Sequence, residues 1–82
     1  MKVYGMIVQG PGRQYRAIVA VKTQKQAAEA FRVKLHHFRD YASATGNEHE
    51  VAVAMSKPGA VFWRPAHNYS VPYAERSPMD EI

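Results

Sequence analysis

From Lys2 to Gln9 the side chains alternate, with Val3 and Ile7 on one face and Tyr4, Met6 and Val8 on the other. This is the two-residue period of a strand, and β-branched and aromatic residues suit its pleated surface. Gly10-Pro11-Gly12-Arg13 follows. Proline presets φ and glycine accepts positive φ, so the segment reads as a turn. Tyr15 to Val21 resumes a β-rich run, and the two stretches together predict a hairpin.

At Thr23 the period changes. Thr23-Gln24-Lys25-Gln26 fits a capping box, with Thr at the N-cap and Gln at N3, ahead of the helix-favouring run Ala27-Ala28-Glu29-Ala30-Phe31. Around Arg32-Val33-Lys34 the apolar phase shifts. Leu35, Phe38, Tyr41 and Ala42 then recur at helical spacing until Gly46-Asn47 offers a C-cap, which predicts a second helix. Residues 47–55 fit two periods: Val51, Val53 and Met55 alternate as in a strand, whereas Val51, Ala54 and Met55 form a helical stripe. A second capping box, Asn47-Glu48-His49-Glu50, and the poor fit of alanine in strands favour the helix.

Ser56-Lys57-Pro58-Gly59 ends that element, and Ala60 to Arg64 is aromatic and β-branched, the mark of a last strand joining the hairpin's sheet. Alternation there sends one of Phe62 and Trp63 inward and the other outward, where it is exposed or covered by the tail. From Ala66 onward the prolines, scattered tyrosines and acidic end show no period. The expected fold class is therefore α+β: an N-terminal β-hairpin, two or three short helices, a C-terminal strand completing a small antiparallel sheet, and an extended tail. One domain over residues 1–65 and a tail over 66–82, packed in part through Tyr69 or Tyr73, is the corresponding organisation.

With 82 residues, of which 46% are hydrophobic and 22% charged, the chain has ordinary globular usage and room for one core. It has no cysteine, which excludes disulfides, thiolate metal sites and a Cys nucleophile and makes the cytoplasm the expected compartment. The apolar stretch Val3 to Val8 is broken by Gly5 and is too short for a signal sequence or membrane span. The net charge of +4 is uneven: residues 1–47 carry +6, with only Glu29 and Asp40 acidic, and residues 48–82 carry −2. Clustered cations suit an anionic partner through counterion release.

The stretch Thr23 to Ala42 places two short helices either side of a brief turn, with Ala28, Val33, Phe38 and Tyr41 at spaced apolar positions. It resembles a helix-turn-helix. In that family a small residue in the first helix allows close approach, apolar residues flank the turn, and the second helix offers its outer side to the major groove of duplex DNA. Two positions depart from the pattern: Arg32 stands where the turn usually has Gly, and Lys34 where a capping Ser or Thr is expected. The resemblance implies contacts from Lys25, Arg32, Lys34, His36, His37 and Arg39, with Arg13 and Arg16 of the hairpin gripping the backbone as a wing would. It also leaves a homodimer on paired half-sites open.

Other chemistry finds little footing. His36 and His37 are adjacent and point about 100° apart on a helix, so they do not share a metal. No GxSxG elbow accompanies the serines, no GK[ST] follows Gly10-Pro11-Gly12, and the carboxylates form no recognisable acid/base pair. The expectation is a binding protein without catalysis, metal or cofactor, and a DNA-binding regulator above all. A second reading makes Trp63, Tyr69 and Tyr73 a surface that binds or inhibits a host protein, because aromatic residues dominate interface hot spots. A compact basic chain opening into a helical hairpin is also similar to small accessory proteins of bacteriophages and prophages, which implies action by stoichiometric binding.

Overall fold

The computed structural model describes residues 1–10, 12–68 and 70–75. Strand β1 (Lys2–Gly10) and strand β2 (Arg13–Val21) form the expected antiparallel hairpin, closing on the pair Gly10 and Arg13. Gly12, at φ 71°, supplies the left-handed backbone of the turn. The chain continues through helix α1 (Gln24–Phe31), helix α2 (Leu35–Tyr41), strand β3 (Ala42–Ala44), helix α3 (Glu48–Ser56) and strand β4 (Phe62–Pro65). The four strands lie in the order β3-β1-β2-β4, each antiparallel to its neighbours; the α+β class and a final strand in the hairpin's sheet are as the sequence implies, and the structure places that strand beside β2.

Helices cover both faces of this sheet. Tyr4, Met6, Val8, Ala17, Val19, Val21 and Trp63 pack with Ala27, Ala28, Phe31 and Phe38 of α1 and α2. Val3, Ile18 and Ala20 pack on the other face with Ala54 of α3 and with Phe62 and Tyr73. Two-sided cover explains why Ala17 to Val21 are buried at every position rather than at every second one. It also accounts for both aromatics of β4, since Trp63 lies under the α1 and α2 layer and Phe62 under α3.

Helix α1 starts and stops as its end residues dictate. The Gln26 N–H donates to Thr23 Oγ1 at 3.1 Å, and Gln26 Oε1 accepts from the Lys22 N–H at 3.1 Å, one residue earlier than in the usual reciprocal box. At the other end the Arg32 N–H donates to the Glu29 carbonyl and the Val33 N–H to the Ala28 carbonyl, the two bonds of a Schellman closure. That closure needs a left-handed residue, and Arg32 adopts it, at φ 60° and ψ 41°. The turn position that glycine usually fills is thus filled by a residue with a Cβ, which the left-handed region penalises. Arg32→Gly is expected to raise stability by about 1 kcal/mol, read as a higher denaturation midpoint in urea.

Helix α2 is shorter than the spacing implies. Phe38 is buried, its ring 5.4 Å from that of Tyr4 and 6.2 Å from that of Phe31. Tyr41, expected on the same apolar stripe, is 68% exposed, because the chain leaves the helix at Ala42 and becomes extended. The expected cap at Gly46-Asn47 is replaced by the edge strand β3, in which Ala42, Ser43 and Ala44 pair with Met6, Gly5 and Tyr4. Nothing in Ala-Ser-Ala announces a strand; the free edge of β1 imposes it. Residues 48–56 are helical, as their capping box favours: Asn47 Oδ1 accepts from the Glu50 N–H at 3.1 Å.

After β4 the chain doubles back, and Ala74 and Trp63 exchange two backbone hydrogen bonds, of 2.7 and 2.8 Å. Tyr73 packs against the same core cluster as Phe62, whereas Tyr69 and residues 76–82 lie outside the described residues. Among the described residues no helix is long and apolar enough to cross a membrane.

Candidate functional site

The residues implied by the helix-turn-helix resemblance fall into two unequal groups. Lys25 on α1, Arg32 and Lys34 in the turn, and His36, His37 and Arg39 on α2 are all exposed on the layer that covers one face of the sheet. Among the described residues none of these six forms a side-chain hydrogen bond or ion pair; Glu29 and Asp40 are exposed on the same two helices. The His37 ring sits 4.7 Å from that of Tyr41, its neighbour one turn on. The layer therefore presents charge and ring surface directly to solvent.

Arg13 is exposed at the end of the hairpin, but Arg16 is not beside it. Strand alternation turns Arg16 to the α3 face, where it lies opposite Ile7 on β1 and Arg64 on β4. The structure so removes Arg16 from any surface shared with α2. Of the residues in the second reading, Trp63 is buried in the core and Tyr73 is half-buried and hydrogen-bonded.

Arg16 belongs to a cluster that the sequence does not announce. Its Nε donates to Glu50 Oε2 at 3.0 Å and its Nη2 to Glu50 Oε1 at 3.1 Å, the bidentate geometry that suits guanidinium and carboxylate. The Thr45 hydroxyl donates to Glu50 Oε1 at 2.8 Å and the Tyr73 phenol donates to Oε2. Each carboxylate oxygen thus accepts two bonds, and a charge buried at the start of α3 is fully engaged. Gly5 makes the approach possible, since a Cβ there would lie 2.3 Å from Arg16 Nη2 and 2.6 Å from its Cζ. The guanidinium crosses the sheet over a strand position without a side chain.

The cluster floors a cavity of about 680 Å³, whose walls include Ile7, Asn47, His49 and Arg64; the Arg64 guanidinium lies 5.1 Å from the Tyr73 ring centre. Hydrogen bonds from Arg16 hold the Glu50 carboxyl at about 2, against the opposing effect of burial and with help from Tyr73 and Thr45. Burial, and then Glu50, push the Tyr73 phenol up, and Glu50 raises Arg16. At neutral pH Glu50 is an anion with its lone pairs occupied and Tyr73 keeps its proton, which is the chemistry of a fixed ion pair rather than of proton transfer. Three separate stretches of chain, at residue 16, at residues 45–50 and at residue 73, are joined by it.

Sequence reasoning missed this cluster because its members are far apart along the chain. The one local signal was Gly5, a glycine inside a strand, which marks a close approach. Among the described residues no three His, Asp or Glu side chains converge as ligands for a metal. No family model, curated protein or solved structure matches the chain.

Proposed function

We propose that the chain is a non-enzymatic nucleic-acid-binding protein whose contact surface is the layer formed by α1 and α2, with duplex DNA as its target. The observation that carries the reading is the exposure of Lys25, Arg32, Lys34, His36, His37 and Arg39 on one layer, free of side-chain ion pairs among the described residues. Cations spread over a surface in this way release counterions when they meet phosphates, and the chain's charge excess lies in the same half of the sequence. A regulator acting in the cytoplasm, as a monomer or on paired half-sites, fits a cysteine-free chain of this size. The core position of Trp63 and the bonded phenol of Tyr73 give the protein-surface reading less support.

The test is a fluorescence anisotropy titration against random duplex DNA at two salt concentrations, for the natural chain and for a variant carrying Arg32→Ala, Lys34→Ala and Arg39→Ala. The natural chain is expected to bind at low salt and to weaken steeply as salt rises. The variant should stay folded, because all three side chains are exposed. Its affinity should fall at least tenfold, and its salt slope should drop by roughly one for each phosphate that is no longer neutralised. Equal affinity of the two proteins, or no binding by the natural chain at low salt, would sink the proposal.

A further inference from the structure

Tyr41 is the most exposed of the large apolar side chains described, at 68%, and it sits on the proposed nucleic-acid surface. Its position is a consequence of the fold: Phe38 takes the core place on α2, and Tyr41, as the last residue of the helix, is left on the outside as the chain turns into β3. The ring is not left loose. It packs on His37 with 4.7 Å between centres and a tilt of 39°, the contact that side chains four residues apart on a helix can make. His37 and Tyr41 share one face of α2, and the exposed Lys34 caps the start of the same helix, so a supported ring and a cation belong to one short element.

A positive track beside an exposed aromatic face is the chemistry that single-stranded nucleic acid recognises: cations follow the phosphates while bases stack on the rings. In a duplex the base faces are already occupied by their neighbours, so a ring of this kind has a partner only where a base is unpaired. Resting on the reading above, we propose that Tyr41, propped by His37, is a stacking platform for an unpaired base. The preferred ligand is then a nucleic acid with a single-stranded segment next to the backbone that the cations hold.

Three labelled probes decide this by anisotropy at one low salt concentration: a blunt duplex, the same duplex with a thymidine overhang of about six nucleotides, and a single strand. The overhang is expected to raise affinity about tenfold over the blunt duplex. Tyr41→Ala should erase that gain while leaving blunt-duplex binding and the melting curve unchanged, and Tyr41→Phe should retain the gain. If the blunt duplex binds but the overhang adds nothing, or if the gain survives in Tyr41→Ala, the platform is overturned and the basic-layer reading stands. Failure of all three probes to bind overturns both.

Discussion

Glu50→Gln is expected to lower the stability of the fold by about 2 kcal/mol at neutral pH, since removing one partner of a buried ion pair leaves the other uncompensated. The amide keeps the shape and part of the hydrogen bonding, but the half-buried Arg16 guanidinium loses the charge that both of its donors face. The effect has a pH signature. The Glu50 carboxyl lies at about 2 in the folded chain against an ordinary 4.5, so its contribution is fully present above pH 4.5. It is lost as the pH falls from there through 2. Urea denaturation of both proteins between pH 7 and 2 should therefore show the gap narrowing through this window. A gap that stays constant would mean that Glu50 is not held as described. Tyr73 works in the opposite direction: its phenol is raised from 10, so its contribution is present below pH 10 and is lost as the pH climbs through the higher folded value.

The cluster also marks where reading the sequence reaches its limit. The hairpin, the start of α1, the start of α3 and the strand at Phe62 were legible because each is written in neighbouring residues: alternation, a capping Thr23 or Asn47, a glycine at a turn. The Arg32 position was legible as a turn even though its residue was wrong for one. Three things were not legible, for a shared reason. Strand β3 exists because β1 has a free edge; Tyr41 is exposed because the chain leaves the helix at the next residue; Arg16 and Glu50 meet across the sheet from 34 positions apart. Each depends on what another part of the chain offers, and periodicity carries no such information. The candidate interface divides along the same line. Its helical cations are all exposed, as local pattern implies, whereas Arg16, assigned to the same surface by its place on the hairpin, faces the other way. Strand alternation contained that warning: β2 buries Ala17 and Val19 against α1 and α2, and Arg16, between Tyr15 and Ala17, has the opposite orientation.

Gly5→Ala is expected to cost nearly as much as the loss of Glu50's charge, about 2 kcal/mol, although it adds only a methyl group. In most strands alanine would be the better residue, because glycine loses more freedom on folding. Here the new Cβ would lie 2.3, 2.6 and 2.9 Å from three atoms of the Arg16 guanidinium. A free arginine would swing its head aside at little expense. This one is held by two bonds to Glu50, so the methyl and the ion pair cannot coexist. The cost should then depend on Arg16 itself: in an Arg16→Ala background the three closest contacts of the methyl are gone, and Gly5→Ala should become neutral or slightly stabilising. A double-mutant cycle by urea denaturation is expected to give a coupling of about 2 kcal/mol, far above the few tenths found for independent sites. Additive costs would mean that Gly5 is required for some reason other than the passage of the guanidinium. The same variant separates scaffold from function. Arg16 and Gly5 lie on the α3 face and the proposed phosphate contacts on the α1 and α2 layer. While Gly5→Ala remains folded, its affinity for nucleic acid should equal that of the natural chain, so a loss of binding without unfolding would tie the ion pair to the interface through the sheet.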